Sequence, residues 1–318
     1  MVKFYRRIED FPRLRNVIAT IGIFDGVHSG HRRIIERMRE VAKERGGETV
    51  LVTFNPHPKS VLHKDHKYLK YIHSRSRKID LLARTGIDYV IEIPFSKAFA
   101  QTPAREFIQS FMVQKVGVSH IVVGYDYRFG KGQEGTYEGL LAMGKEWGFS
   151  VEQLSAVTVS DIIVSSTAIR SALHEGNVQL ANTLLGYEYS LFGEIIYGKQ
   201  LGRTIGFPTA NIEVPNKLKL IAANGVYACR ILWKGQKLIG MGNIGFRPTV
   251  NGNHRTIEVN IFDFSQEIYG DYLTVYFVQR IRDEKKFQDL DALKVQLEED
   301  QEVVREILKQ CKVSPFKA

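Results

Sequence analysis

Cysteine is nearly absent. Cys229 and Cys311 are the two in 318 residues, and they fall in different regions of the chain. Such a pair builds neither a disulfide framework nor a cysteine-rich zinc cluster. No run approaches the roughly 20 apolar residues that a membrane-spanning helix requires. The opening stretch Met1-Val2-Lys3-Phe4-Tyr5-Arg6 has no apolar core and no small-residue cleavage site, so it is not read as a signal peptide. Zinc-finger spacings, RNA-recognition aromatic motifs and the GxxxxGK[ST] phosphate loop are all missing. Proline is sparse, with 9 in all, and no Pro/Ser-rich linker or low-complexity tract divides the chain. These absences leave a cytoplasmic globular protein with small-molecule partners, no membrane partner and no expected nucleic-acid partner. The length suits two domains of ordinary size. The oligomeric state is left open.

Positive charge is plentiful, with a formal net of +9. Phosphorylated substrates account for that balance as readily as nucleic acid does. The basic residues are scattered apart from two runs, Arg75-Ser76-Arg77-Lys78 and His63-Lys64-Asp65-His66-Lys67, and both read as solvated faces. Up to residue 186 the hydrophobic pattern alternates strands (17–23, 49–54, 88–93, 119–124, 151–157) with helices (31–45, 75–84, 103–116, 135–147, 167–175, 177–185). That alternation predicts an α/β domain with a parallel sheet covered on both faces. Its ligand crevice would lie at the carboxyl ends of the strands. From 187 to 318 short strands (189–197, 225–233, 236–243, 255–263, 272–280) separated by glycine and asparagine turns predict a small antiparallel barrel. An amphipathic helix over 289–310 ends it.

Four strings at predicted strand ends converge on one nucleotide. The first is Gly22-Ile23-Phe24-Asp25-Gly26-Val27-His28-Ser29-Gly30-His31, an HxGH pattern between strand and helix. A helix N-terminus attracts phosphate, glycines let the backbone approach it, and two imidazoles can hydrogen-bond it. Phe54-Asn55-Pro56-His57-Pro58 follows the second strand, where His57 can meet a phosphate or satisfy a loop carbonyl. In Gly124-Tyr125-Asp126-Tyr127-Arg128-Phe129-Gly130, Asp126 suits a sugar or ring amine, while Phe129 either stacks on a ring or fills the core. Val164-Ser165-Ser166-Thr167-Ala168-Ile169-Arg170 opens a helix that a serine can cap, and Arg170 can neutralise leaving pyrophosphate. If the nucleophile is a phosphate, it is already an anion. Alignment and charge neutralisation then suffice, and no general base is required.

A second constellation opens the barrel half: Gly198-Lys199-Gln200-Leu201-Gly202-Arg203-Thr204-Ile205-Gly206-Phe207-Pro208-Thr209-Ala210-Asn211. Three glycines and the basic pair Lys199 and Arg203 suit a loop over phosphates. In extended chain Thr209 and Asn211 share one face, and two neutral oxygens with nucleotide phosphates make a shell for Mg²⁺, Mn²⁺ not being excluded. Arg247 lies on a further loop. Glu258, amid β-branched neighbours, is a fixed carboxylate of the kind that accepts a proton from an attacking alcohol.

These strings resemble those of the bacterial riboflavin kinase/FMN adenylyltransferases, also called FAD synthetases. The likeness rests on Gly22–His31, Phe54–Pro58, Val123–Gly130 and Val164–Arg170 in the first half. In the second half it rests on Gly202–Asn211, Gly225–Ala228, Asn243–Thr249, Glu258–Phe264 and Tyr269-Gly270. It implies a Rossmann-like nucleotidyltransferase domain and a riboflavin kinase-like barrel. It further implies phosphorylation of riboflavin by ATP to FMN, then joining of FMN to AMP from a second ATP to give FAD and pyrophosphate. Thr209 and Asn211 match the family's Mg²⁺/ATP positions, Glu258 its base, and His28 and His31 its phosphate-handling histidines. Three positions depart from the pattern: Ile23 for a common asparagine, Gln133-Glu134-Gly135 for Arg-x-Gly-Asp, and Ala168 for a larger residue. All three fall in the adenylyltransferase half. A kinase with a weak or silent adenylyltransferase half and a flavin-sensing RNA-binding regulator are the alternatives to the bifunctional enzyme.

Overall fold

The structure, a computed structural model, describes residues 2–62, 70–198, 200–249 and 252–311, with backbone only at 201, 247–249 and 252–254. The chain forms two compact units, Met1–Ser165 and Ser166–Ala318. The helices Ser166–His174 and Val178–Leu185 are thereby counted with the barrel.

The first unit is built on six strands: β1 Lys3–Tyr5, β2 Val17–Ile21, β3 Glu48–Asn55, β4 Tyr89–Pro94, β5 Val118–Val123 and β6 Ser150–Gln153. They run in the order β1-β4-β3-β2-β5-β6, with every neighbouring pair parallel. β2, Val-Ile-Ala-Thr-Ile, is buried at all five positions, as a central strand covered on both faces must be. From β2 the chain moves to β3 on one side and later to β5 on the other, which creates a crevice at the carboxyl ends of these strands. The helix Ser29–Arg45 buries Ile35, Met38, Val41 and Ala42 and stops at Gly46 in the left-handed region. The predicted strand over 151–157 ends at Gln153. A hairpin follows, β7 Thr158–Val159 and β8 Ile162–Ile163, turning through Ser160 and Asp161 at φ 49° and 63°.

The second unit closes six antiparallel strands into a ring: β9 Ser190–Ile196, β10 Ala210–Glu213, β11 Gly225–Trp233, β12 Gln236–Thr249, β13 Gly252–Ile261 and β14 Tyr272–Arg282. Their order is β10-β13-β12-β11-β14-β9, and β10 pairs with both β13 and β9. β10, which the sequence pattern does not announce, is therefore the strand that shuts the barrel. The helix Leu290–Gln310 starts at Asp289, whose side chain accepts from Ala292 N–H at 2.8 Å. It packs Leu297, Val304, Ile307 and Leu308 against Phe207, Val226, Ala228, Met241, Phe262 and Val278. Asp300, 3% exposed, fastens it to β14 by accepting from Arg282 at 2.7, 2.9 and 3.0 Å. No helix among the described residues is long and apolar enough to cross a membrane.

Candidate active sites

In the first unit, β2 stops where Gly22 N–H donates to the Val52 carbonyl at 3.0 Å. The chain then turns sharply, with Phe24, Gly26 and Val27 at φ 54°, 91° and 38°. Phe24 is buried, and its ring lies 4.4 Å from that of His31, which lies 3.6 Å from that of His28. The three rings form one stack at the N-terminus of a 17-residue helix. His28 caps that helix, its Nδ1 accepting from His31 N–H at 3.3 Å. A neutral His28 with Nδ1 accepting carries its proton on Nε2. At Gly30 a Cβ would come within 3.2 Å of His28 Nδ1, so any larger residue there would press on that ring. His31 Nδ1 is buried without a hydrogen-bond partner. Burial first, then His28, Lys78 and Arg32, hold the His31 imidazole well below its usual pKa.

Asp25, expected at the nucleotide, turns its buried carboxylate to the backbone. It accepts from Ile72 N–H at 3.1 Å and from His73 N–H at 3.4 Å, which pins that segment to the turn. The basic run 75–78 is not a solvated face. Arg75 pairs with buried Glu92, Nε to Oε1 at 2.7 Å, and Lys78 Nζ donates to the Ile23 carbonyl at 2.5 Å and to Thr53 Oγ1 at 2.7 Å. Lys78 precedes buried Leu81 and Leu82 by three and four positions, and this spacing placed it on the inner face of the helix Arg75–Ala83. The run 63–67 lies outside the described residues.

A cavity of about 390 Å³ opens beside this turn. Gly22, Ile23, His57, Pro58 and Arg128 line it together with Phe54, Phe95, Phe99, Phe107, Tyr127 and Phe129. Phe54 stands 5.8 Å from Phe95 and 5.9 Å from Phe99, ring centre to ring centre. Phe129 is 8% exposed and stacked on Tyr127 at 5.2 Å, so most of its ring fills the core and only an edge contributes to the wall. His57 Nδ1 accepts from Lys59 N–H at 3.1 Å, a backbone N–H rather than the loop carbonyl considered for it. Asn55 Nδ2 donates to Glu92 at 3.4 Å, and Asp126 is exposed. Glu134, part of a departure from the family pattern, accepts from Ala104 N–H at 2.8 Å and so supports the helix that follows Pro103. Ser165 ends the first unit. Ser166, Thr167 and half-buried Arg170 stand on the first helix of the second.

In the barrel, Asn211 on β10 faces Glu258 on β13 across the ladder, and Glu258 faces Asn243 on β12. Thr209 Oγ1 lies 3.4 Å from Glu258 Oε2. Asn260 Nδ2 donates to the Pro208 carbonyl at 2.7 Å and fixes the entry to β10. A Cβ on Gly198 would sit 2.1 Å from the Asn211 amide, so the glycine-rich loop lies directly on that side chain. Two cavities flank the β10–β13 pair. One, of about 450 Å³, touches Ile195, Ala210, Val259 and Ile261, with Arg203, Pro208, Ser265, Gln266 and Tyr269 at its edges. The other, of about 340 Å³, touches Asn211, Glu258 and Asn260, with Gly202, Phe207, Met241, Asn243, Phe287, Leu293 and Leu297. Alternation along a strand puts these two sets on opposite faces, and Thr209 borders both cavities. Gly206 has φ 86° in the connecting loop. Lys199 lies outside the described residues, as does the Arg247 side chain.

A family model described as FAD synthetase matches residues 10–168, and one described as riboflavin kinase matches residues 185–308. Proteins named bifunctional riboflavin kinase/FMN adenylyltransferase are similar along almost the whole length. The one from Escherichia coli (strain K12) is 38% identical over 290 residues, covering 91% of this chain and 92% of its own. That from Haemophilus influenzae is 39% identical over 293 residues, covering 92% and 94%. That from Bacillus subtilis (strain 168) is 37% identical over 294 residues, covering 91% and 92%. A crystal structure described as a macrolide-efflux protein from Streptococcus pneumoniae aligns with a TM-score of 0.88 at 33% identity, over 96% of this chain and 98% of that one. Each half thus has its own family match, and the curated relatives carry both halves in one polypeptide, so the chain belongs to the bifunctional riboflavin kinase/FMN adenylyltransferase family.

Proposed function

We propose that the barrel phosphorylates riboflavin with ATP to give FMN, and that the first unit joins FMN to AMP from ATP, releasing pyrophosphate and giving FAD. The observation that carries the kinase reading is Thr209, which borders two cavities on opposite faces of one strand pair with the Glu258 carboxylate 3.4 Å away. Transfer between two bound molecules calls for two pockets that meet at the reacting atoms.

In this reading the 450 Å³ cavity, with Arg203 at its rim, takes ATP, and the more apolar 340 Å³ cavity takes the flavin ring. The ribityl 5′-hydroxyl oxygen attacks the γ-phosphorus, the bond to the bridging oxygen of ADP breaks, and Glu258 accepts the hydroxyl proton. The loop carrying Gly198, Gly202, Arg203 and Gly206 covers the phosphates. Thr209 and Asn211 offer neutral oxygens, which suit Mg²⁺ when nucleotide phosphates complete its shell. Bound there, the ion would offset charge on the transferring phosphoryl group. Among the described residues no group of three or more His, Cys, Asp or Glu stands ready to hold a metal without such phosphates.

In the first unit the FMN phosphate oxygen attacks the α-phosphorus of ATP, and the bond to the pyrophosphate oxygen breaks. No proton needs to move. His28 offers Nε2–H, and the N-terminus of the helix Ser29–Arg45 faces the developing charge. The aromatic-lined cavity of about 390 Å³ receives the isoalloxazine ring, with Phe54, Arg128 and Phe129 in its wall. Ser165, at the end of the first unit, serves the nucleotide phosphates in this reading. The reading carries with it a cytoplasmic address and small-molecule partners.

Incubation of the pure protein with riboflavin, ATP and Mg²⁺, followed by separation of the flavins, should show FMN and then FAD. Absence of both sinks the proposal. Supplying FMN and ATP alone isolates the second reaction: no FAD from FMN leaves a kinase with a silent partner half.

A further inference from the structure

We propose that Lys78 is a positioning residue for AMP transfer: its ammonium, held between the Ile23 carbonyl and the Thr53 hydroxyl, is the fixed positive charge beneath the turn that leads to His28 and His31. The inference rests on the reading of the first unit as an adenylyltransferase.

Lys78 is a partly buried cation at the carboxyl ends of β2 and β3, where a ligand of this sheet belongs. Its two acceptors are neutral, and no carboxylate lies within ion-pair distance of it among the described residues. The nearby carboxylates are otherwise engaged: Glu92 is held by Arg75 and Asn55, and Asp25 by Ile72 N–H and His73 N–H. An ammonium taken out of water without a direct counter-ion is costly. An arriving phosphate would supply the missing negative charge. By gripping the Ile23 carbonyl, Lys78 also fixes the orientation of the turn that leads to the stacked histidines.

The charged groups facing Lys78 are Glu92 on β4, Asp25 on the turn, Arg75 on its own helix and His31 on the helix Ser29–Arg45. Burial brings its pKa down to about 8 against the opposing pull of Glu92 and Asp25. It is therefore charged below that pH and neutral above it. Lys78 and His28 repel a proton from His31, adding to the effect of burial.

The test measures kcat/KM for ATP in FAD formation from FMN across pH, with FMN formation from riboflavin by the same preparation as the folding control. Wild type should lose FAD-forming efficiency as pH rises through about 8, because kcat/KM reports the free enzyme. The kinase reaction should lack this limb. K78R, charged throughout, should abolish the limb, and K78M should lower FAD formation at neutral pH by about 100-fold while leaving FMN formation unchanged. The His31 ring should titrate at higher pH in K78M by NMR, since a repelling charge has gone. A wild-type profile without the alkaline limb overturns the proposal, as does a K78R profile that keeps it or FAD formation by K78M at the wild-type rate. Should K78M fail to fold, the wild-type and K78R profiles decide. A wild-type protein that forms no FAD from FMN refutes the underlying reading instead.

Discussion

At the scale of single residues, each proposed reaction depends on side chains that the other does not use. Glu258→Gln keeps the size of the side chain and removes its basicity. FMN formation should fall by about 10²–10⁴-fold, while FAD formation from added FMN continues at the wild-type rate. His31 gives a stability prediction. Its folded-state pKa is depressed below 6.5, so under acid the unfolded chain takes up a proton that the folded chain refuses. Stability is therefore intact above about 6.5 and declines as pH falls below it. Thermal melts of the wild type should show that decline, and His31→Gln should remove part of it. The HxGH and Pro-Thr-Ala-Asn strings stand out in the sequence because the side chains proposed to act together are neighbours along the chain. Lys78 does not, because its meaning lies in Ile23 and Thr53, which are far from it along the chain and near it only once β2 and β3 pair. The partners of Asp25 are likewise far from it along the chain, the N–H groups of Ile72 and His73.

Among the elements, the strands with long runs of β-branched residues were plain in the sequence. β11 spans the predicted residues, Gly225–Trp233, and the parallel strands β2 to β5 fall within two residues of expectation at each end. The short ones were hidden. β1 has three residues and β10 four, too few for alternation to declare itself, and β10 follows directly on a proline loop. The hairpin β7–β8 was hidden because its turn uses Ser160 and Asp161 rather than a glycine. The C-terminal helix was foreseen, but its fastening was not. Asp300→Ala would take the carboxylate from half-buried Arg282, whose side chain is 18% exposed, a loss of about 1–3 kcal/mol. The melting temperature should fall. Because Leu293, Leu297 and Arg282 line the smaller barrel cavity, KM for riboflavin should rise more than kcat falls. Asp289→Ala removes only the helix cap and should cost about 1 kcal/mol.

For the molecule as a whole, two compact units carrying independent chemistry predict complementation. A Glu258→Gln protein retains FAD synthesis from FMN, and a His28→Ala/His31→Ala protein retains FMN synthesis from riboflavin. Neither alone should convert riboflavin to FAD, whereas their mixture should, with FMN passing through solution. If the mixture stays inactive while each partner keeps its own half-reaction, the product is handed over within one polypeptide rather than released. The closed ring of the barrel has a consequence for its biogenesis. The four residues of β10 both shut the ring and set Asn211 opposite Glu258, so on the proposed roles of these two residues a chain still open at that seam should make no FMN. The first FMN made by a refolding sample would therefore serve as a clock for the moment the circle is completed.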